Sequence, residues 1–379
     1  MTGVLLTGVS MRAAAQSAVK AGYLTHTIDA FADLDAPRPV TSPVPIGAEA
    51  RFDARRASWD AVGVQADAVV YGSGFEDDLG AVGLISEGRA LWGNPPQVLQ
   101  KVRAHRRVLG RLADQGFMVP RIFEPGDPAP PQAGVSWLEK PYCSGGGHGI
   151  RRWEPPGITP GCYLEEFIDG APASIVFVAK GGRAVPLGIS RQLAGEAAFG
   201  ATGFQYCGSI LSHPADLFDR GVAVAATAHA VAMAVARDYD LVGLNNVDFI
   251  ARQGVPYPVE VNPRWSASVE LVERAHGFSM FGLHADACSR GTLPDDRLPL
   301  CLRRAVGKAI VFARHDLFAH RSKEWLWSRD VADVPRPGTL IRRGEPVCTV
   351  FAEAPTPREC HAGLVRRAAR IYAEVDAWA

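Results

Sequence analysis

Asp248, Glu260, Asn262 and Arg264 are the residues whose types and spacing speak most directly to chemistry. They fall in two apolar runs, Leu244-Asn245-Asn246-Val247-Asp248-Phe249-Ile250 and Pro258-Val259-Glu260-Val261-Asn262-Pro263-Arg264, joined by the polar turn Ala251-Arg252-Gln253-Gly254. That is the pattern of a β-hairpin. The two carboxylates lie 260 − 248 = 12 positions apart, one on each predicted strand. Glu260 and Asn262 are two apart and share a face, which Arg264 extends. Hard oxygen donors of this kind hold Mg²⁺, Mg²⁺ bridges phosphates, and an arginine takes up further negative charge. A second constellation lies upstream. Val135–Pro141 reads as a strand ending in Lys140-Pro141, and Ser144-Gly145-Gly146-Gly147-His148-Gly149 follows it. Glycines in such density let a loop present its N–H groups to a phosphate. No Gly-Lys-Ser/Thr follows, so this is not a Walker loop.

The elements that must position these residues come in order. Val4–Leu6, Tyr23–Ile28 and Ala68–Gly72 read as buried strands, and Met11–Ala21 as an alanine-rich helix. Alternation of strand and helix predicts a parallel sheet covered on both faces. Gly3-x4-Gly8 lacks the G-x-G-x-x-G spacing of a dinucleotide site. Gly93-Asn94-Pro95-Pro96 marks a boundary, Gln97–Gln115 a basic helix, and Gly116 its end. Ser174–Ala179 and Ala184–Arg191 form a second predicted hairpin about Lys180-Gly181-Gly182-Arg183. Val222–Ala236 is a strongly apolar helix, with His229 a packed or partly exposed helix residue and not a ligand. Strand and turn alternate from Ala305 to Ala352, and Pro357–Trp378 closes the chain as a helix.

Composition narrows the class. The chain has 379 residues, 47% apolar and 21% charged, as expected of a globular protein of two or three domains. Forty basic side chains balance forty acidic ones, which argues against nucleic acid or an acidic membrane as the main partner. The seven cysteines include no C-x-x-C pair, so neither a zinc knuckle nor a redox motif is written here. With no basic leader and no apolar run of about 18 residues, the expected location is the cytoplasm.

The motif Glu260-Val261-Asn262-Pro263-Arg264 with Asp248 upstream, preceded by Lys140 and the Gly145–Gly149 loop, resembles the ATP-grasp ligases. The resemblance implies an ATP-grasp fold of mixed α/β and α+β class. A Rossmann-like pre-ATP-grasp domain would span residues 1–93, the nucleotide module 94–300 with a lid at about 120–170, and a small β-rich extension 301–379. It implies ATP and Mg²⁺ (or Mn²⁺) as cofactors, with Asp248, Glu260 and Asn262 as metal ligands. Lys140, Ser144, Gly145, Gly146 and Gly147 would hold the phosphates. Glu165, Glu166, Phe167 and Ile168 would clamp adenine. The family's first nucleotide lysine falls near His105 or Arg106 when the chain is aligned on Gly116, so Arg106 is the expected substitute and Lys101 lies somewhat early. Pro172-Ala173-Ser174 stands where an acid is usual.

Arg264 and Arg191 are the catalytic candidates. Ser10, Arg12, Gly74, Glu76 and Ser268 are the candidate substrate contacts. The implied reaction is carboxylate–amine ligation: a carboxylate attacks the γ-phosphate, and an amine then displaces phosphate from the acyl phosphate. Glutamate–amine ligation is one such case. The competing readings are a bicarbonate-dependent carboxylase of the biotin-carboxylase type and a non-catalytic ATP-binding protein. Small-molecule partners are expected, and homodimers are common in the family.

Overall fold

The computed structural model describes residues 1–41, 43–44, 52–127, 134–295, 302 and 304–378. Three main sheets organise it. The first is parallel. Its strands are β1 (Gly3–Gly8), β2 (Leu24–Asp29), β3 (Ala68–Tyr71) and β4 (Ala90–Leu91), in the order β2-β1-β3-β4. The helix Arg12–Lys20 packs its alanines against this sheet, with Ala14, Ala15 and Ala18 fully buried. Order reverses between β1 and β3, so the crevice beyond the carboxyl ends of these strands is where an open sheet of this kind takes a ligand.

The second sheet is small and antiparallel. It runs β5-β8-β6-β7, built from β5 (Ile122–Phe123), β6 (Trp137–Pro141), β7 (Arg151–Arg152) and β8 (Cys162–Glu166). It carries Lys140 at the end of β6 and the glycine-rich loop immediately after.

The third sheet has eight strands. From β13 (Val255–Asn262) it runs through β12 (Gly243–Arg252), β9 (Ala171–Lys180), β10 (Arg183–Ala194) and β11 (Tyr206–Leu211) to β14 (Ala305–Phe312), β18 (Pro346–Ala354) and β16 (Val331–Ala332). A separate pair, β15 (Leu317–Phe318) and β17 (Leu340–Ile341), lies beyond it. The chain after residue 304 therefore extends the same sheet that carries the hairpin, through β11 pairing with β14. The turn joining β12 and β13 has Gln253 at φ 52 and Gly254 at φ 83. Two left-handed residues are what a tight two-residue hairpin turn requires, and an irregularity between Asp248 and Phe249 then shifts the pairing by one residue, which puts Asp248 opposite Glu260 and not Val259.

The eight-stranded sheet has two different faces. Ile175, Phe177, Ile189 and Leu193 point to the long helix Gly221–Tyr239 and the closing helix Pro357–Asp376. Val176, Val178 and Leu187 point the other way, into a core shared with Val4, Leu6, Met11 and Trp92 of the first sheet. The first 93 residues are thus welded to the hairpin's sheet by a common apolar core. Asn94 seals the joint: its side-chain amide donates to the carbonyls of Val242 (3.2 Å) and Pro263 (2.9 Å) and to Asn245 (2.8 Å), and its oxygen accepts from Val242 N (2.8 Å).

One helix expectation changes. Residues 97–115 form two helices, Pro96–Val102 and His105–Asp114, with a break at Arg103-Ala104. Ala104, at ψ 71, leaves helical geometry. The break frees Arg103 to turn its guanidinium into the site.

Candidate active site

The hairpin residues sit on the sheet face shared with the first domain. Asp248 pairs in register with Glu260 on one side and Ser174 on the other, and Asn246 pairs with Asn262. Asn262 donates to Asp248 Oδ2 (2.8 Å), while Asn246 (3.0 Å) and Gln192 (2.8 Å) donate to Asp248 Oδ1. Asn246 also donates to the Ser174 hydroxyl (3.1 Å). Burial, with Glu260 alongside, pushes the Asp248 carboxyl up to about 7.

Arg264 donates to Asn262 Oδ1 (2.7 Å) and forms an ion pair with Glu76, which arrives from the loop after β3. Burial opposes ionisation of Glu76, but Arg264 outweighs it and holds the carboxylate below its usual range. Gly74 N–H donates to the same carboxylate (2.6 Å), so the first domain delivers a prepared partner for Arg264.

Lys140 lies across the cleft. Its ammonium donates to both oxygens of Glu165 (3.0 and 3.1 Å) and rests 5.9 Å from the Tyr163 ring centroid. Burial penalises the charge, but Glu165, Tyr163 and Glu260 more than offset that and hold Lys140 protonated well above its ordinary value. Glu165 is itself buried. Glu166 points outward to Arg121 (2.9 Å), as the alternation along β8 requires. The Phe167 ring carries the Arg152 guanidinium at 3.4 Å, and Ile168 is buried.

The glycine-rich loop lies closed. Gly146 O accepts from Tyr206 N (2.9 Å), and Gly147, at φ 79, is so close to Phe204 that an added Cβ would meet its carbonyl oxygen at 2.0 Å. Gly145 approaches Ser73 of the first domain, and Ser144 is half-buried at the loop's start. Only glycine fits at 147, for reasons of both space and dihedral angle.

Two expected cations lie elsewhere. Arg106 is turned outward to Glu124 (3.2 Å) and Asp127, on the side of its helix away from Glu260. Arg103, four residues beyond Leu99 and at the helix break, takes the central position: it donates to Glu260 (3.2 Å), Asp77 (2.6 Å) and the Tyr142 carbonyl (3.1 Å). His105 stacks on Tyr163 at 5.6 Å, and burial lowers its imidazole to about 4, so it is a neutral ring and not a cation. Arg191 is exposed and shares its strand face with Ile189 and Leu193, opposite to Asp248; its neighbour Gln192 makes the contact instead. A strand's period of two separates adjacent residues completely, and spacing alone does not tell which parity faces the site.

Of the substrate candidates, Gly74 and Glu76 join the Arg264 cluster. Ser10 is exposed, and Ser268 is buried within the helix Ala267–His276. Arg12 is buried in a separate ion-pair web with Glu270 and Asp333. Sequence reasoning missed Arg103, Asn246 and Asn94. The helix break that liberates Arg103 has no strong breaker residue to announce it, whereas two asparagines inside an apolar strand were a readable signal for Asn245 and Asn246.

Among the described residues no cluster of three or more His, Cys, Asp and Glu side chains forms a metal cage. The available donors are two carboxylates and an amide. They fit a hard divalent cation: Asp248 and Glu260 crowd each other, and Asn246 Oδ1 is buried with no partner beside them.

A strand-end lysine beside a glycine-rich loop, with a hairpin of carboxylates on a second antiparallel sheet and a parallel sheet before both, is the frame of the ATP-grasp fold. Residues 105–268 match the family model of the ATP-grasp domain, so the chain contains an ATP-grasp domain. The L-amino acid ligase from Bacillus licheniformis superposes with a TM-score of 0.70 at 17% identity, covering 98% of this chain and 97% of that one. N5-carboxyaminoimidazole ribonucleotide synthetase from Thermotoga maritima gives a TM-score of 0.64 at 16% identity, with 97% of both chains covered. The biotin carboxylase domain of the Hydrogenobacter thermophilus 2-oxoglutarate carboxylase, solved with MgADP and bicarbonate, gives 0.68 at 14% identity, covering 93% and 86%. An uncharacterized protein of Methanocaldococcus jannaschii is 28% identical over 120 residues, which is 31% of this chain and 28% of that relative. Among the described residues no helix is long and apolar enough to cross a membrane.

Proposed function

We propose that this protein is an ADP-forming carboxylate–amine ligase that works through an acyl phosphate. The observation that carries this reading is the convergence of Asp248, Glu260, Asn262 and Arg264 on one face, with Lys140 close enough to Glu260 to feel its charge and the glycine-rich loop directly after Lys140. Likeness to an L-amino acid ligase over nearly the whole of both chains supports it at the level of fold.

In this reading Lys140 and the loop N–H groups orient the triphosphate, while Glu165 to Ile168 flank the base. Asp248, Glu260 and Asn262 would hold Mg²⁺ or Mn²⁺, which when bound neutralises charge on the phosphates. Arg264 stabilises the transferring phosphoryl group, and Arg103 adds a second cation where the family's lysine is missing. Glu76 fixes Arg264 in place. The closed loop keeps water from the acyl phosphate. Catalysis is then positioning plus electrostatics, without a covalent side-chain nucleophile. Small acids and amines are the proposed partners, and the cytoplasm the proposed location.

The test is ADP release by the purified protein with MgATP against pools of carboxylic acids, amines and bicarbonate, with Glu260→Ala as control. Release that needs an acid and an amine, and is lost in the variant, establishes the ligase. Release with bicarbonate alone assigns the protein to carboxylation. ATP binding without release in any pool refutes the catalytic reading.

A further inference from the structure

A second concentration of charge lies at the carboxyl ends of β1 and β2, away from the phosphate residues. Asp29, Asp33, Asp35, Asp333 and Glu270 gather there around Arg12, with Lys308 and Arg336 at its margins. Nearly every carboxylate is accounted for. Asp29 accepts from the backbone N–H groups of Met11 (3.0 Å), Phe31 (3.1 Å) and Ala32 (2.7 Å). Asp35 accepts from Asp333 N (3.0 Å) and Val334 N (2.9 Å). Glu270 takes Arg12 on one oxygen and Lys308 (2.8 Å) on the other. Asp333 takes Arg12 Nε (2.9 Å). Arg336 is spent on the Ala32 carbonyl (2.9 Å).

Asp33 is the exception. It is 3% exposed, and its Oδ2 has no partner. Burial, and then the neighbouring Asp333, Asp29 and Asp35, hold its carboxyl well above the usual carboxylate range against the pull of Arg12, so a cation brought here would favour its ionised form. Burying a carboxyl oxygen without a hydrogen-bond partner is costly and is seldom retained without a use. Asp35 and Asp333, 15% and 23% exposed at their side chains, form the solvent side of this corner. Glu270 ties it to the helix that follows Arg264, and the parallel sheet's ligand crevice beyond β1 and β3 lies between the two charged clusters.

We propose that this acidic corner is the subsite for a cationic group of the amine substrate, with Asp33 as the carboxyl whose oxygen is left without a partner and Asp35 and Asp333 as its rim. The proposal rests on the ligase reading for its role and deepens it: the amine carries an ammonium or guanidinium group that is recognised here, apart from the nitrogen that attacks. No side chain at this corner takes part in bond making.

The test is binding of alkylammonium probes, from methylammonium to putrescine, to the full chain with MgATP present, followed by calorimetry. Asp33→Asn keeps the side chain's shape, and Asp333→Asn provides a second variant at the rim. The expected result is saturable binding of a probe by the natural sequence, weakened about tenfold or more in Asp33→Asn. Binding that is equal in both variants and the natural sequence, or no binding of any probe, overturns the subsite. Turnover separates the two readings. If acid- and amine-dependent ADP release exists and Asp33→Asn leaves the amine KM unmoved, the subsite falls and the ligase stands. If Asp33 governs cation binding but no acid supports ADP release, the ligase reading falls and the cation site stands. A rise confined to the amine KM, with that for ATP unmoved, supports both.

Discussion

Lys140 and Glu165 form a buried pair whose two hydrogen bonds leave little slack. Removing one partner strands the other in a poor solvent. Lys140→Met is therefore expected to lower stability by about 3 kcal/mol, more than a surface lysine would, and to weaken ATP binding as well. Thermal melting and nucleotide titration of the same variant check both arms. Arg103 makes a complementary case. Its guanidinium spans Asp77, Glu260 and the Tyr142 carbonyl, a fork that lysine does not reproduce. Arg103→Lys should raise the KM for ATP about tenfold or more, whereas Arg106→Ala, altering only an exposed pair, should leave it within about twofold. Equal effects from the two would remove Arg103 from the site. Asp248 brings pH into play. Its carboxyl is raised to about 7 by burial and then by Glu260, so its protonated form favours the fold. The stability it contributes is present below about pH 4 and is lost as pH rises through about 7. Metal binding needs the ionised form, so the Tm gain from Mg²⁺ should grow between about pH 6 and pH 8. A gain independent of pH would contradict this.

At the scale of elements, the glycine loop and the two-residue turns carry the argument. Gly147 sits against the Phe204 carbonyl in a left-handed conformation, which an alanine would reach only with strain of about 1–2 kcal/mol and a displaced backbone. Gly147→Ala should lower the Tm by no more than a few degrees, because the loop can relieve the strain by moving away from Phe204 without disturbing the core. It should raise the KM for ATP and the rate of proteolytic cutting between residues 144 and 149. The helix break at Arg103 and Ala104 shows how an element can be nearly right in outline and still decide the site. A continuous helix from 97 to 115 would have no reason to present Arg103 to Glu260. Strand parity does the same for Gln192 and Arg191, since the hairpin was legible while the face of each residue was set by pairing with β9 and β11.

Over the whole molecule, a common apolar core joins the first sheet to the hairpin's sheet, and β14, β18 and β16 continue that sheet after residue 304. Asn94 makes four hydrogen bonds across this joint. Asn94→Ala leaves their partners buried and should cost about 2–4 kcal/mol, with calorimetry still showing one cooperative transition at lower Tm. A separate early transition for the first 93 residues would mean that the shared core does not couple them.

The sequence by itself determined the nature of the machinery. A carboxylate on each arm of a hairpin, an arginine two places beyond an asparagine, and a lysine before a run of glycines are local patterns, readable because strand period and glycine's freedom are local properties. It also determined the order of these parts, and hence the class of fold. Tertiary structure alone decided which cation serves the site, that Glu76 travels from the first domain to hold Arg264, and that Asp29, Asp33, Asp35 and Asp333 meet at one corner although Asp33 and Asp333 stand 300 positions apart. Such convergence depends on how sheets stack and which face each strand turns inward, and no spacing along the chain encodes it.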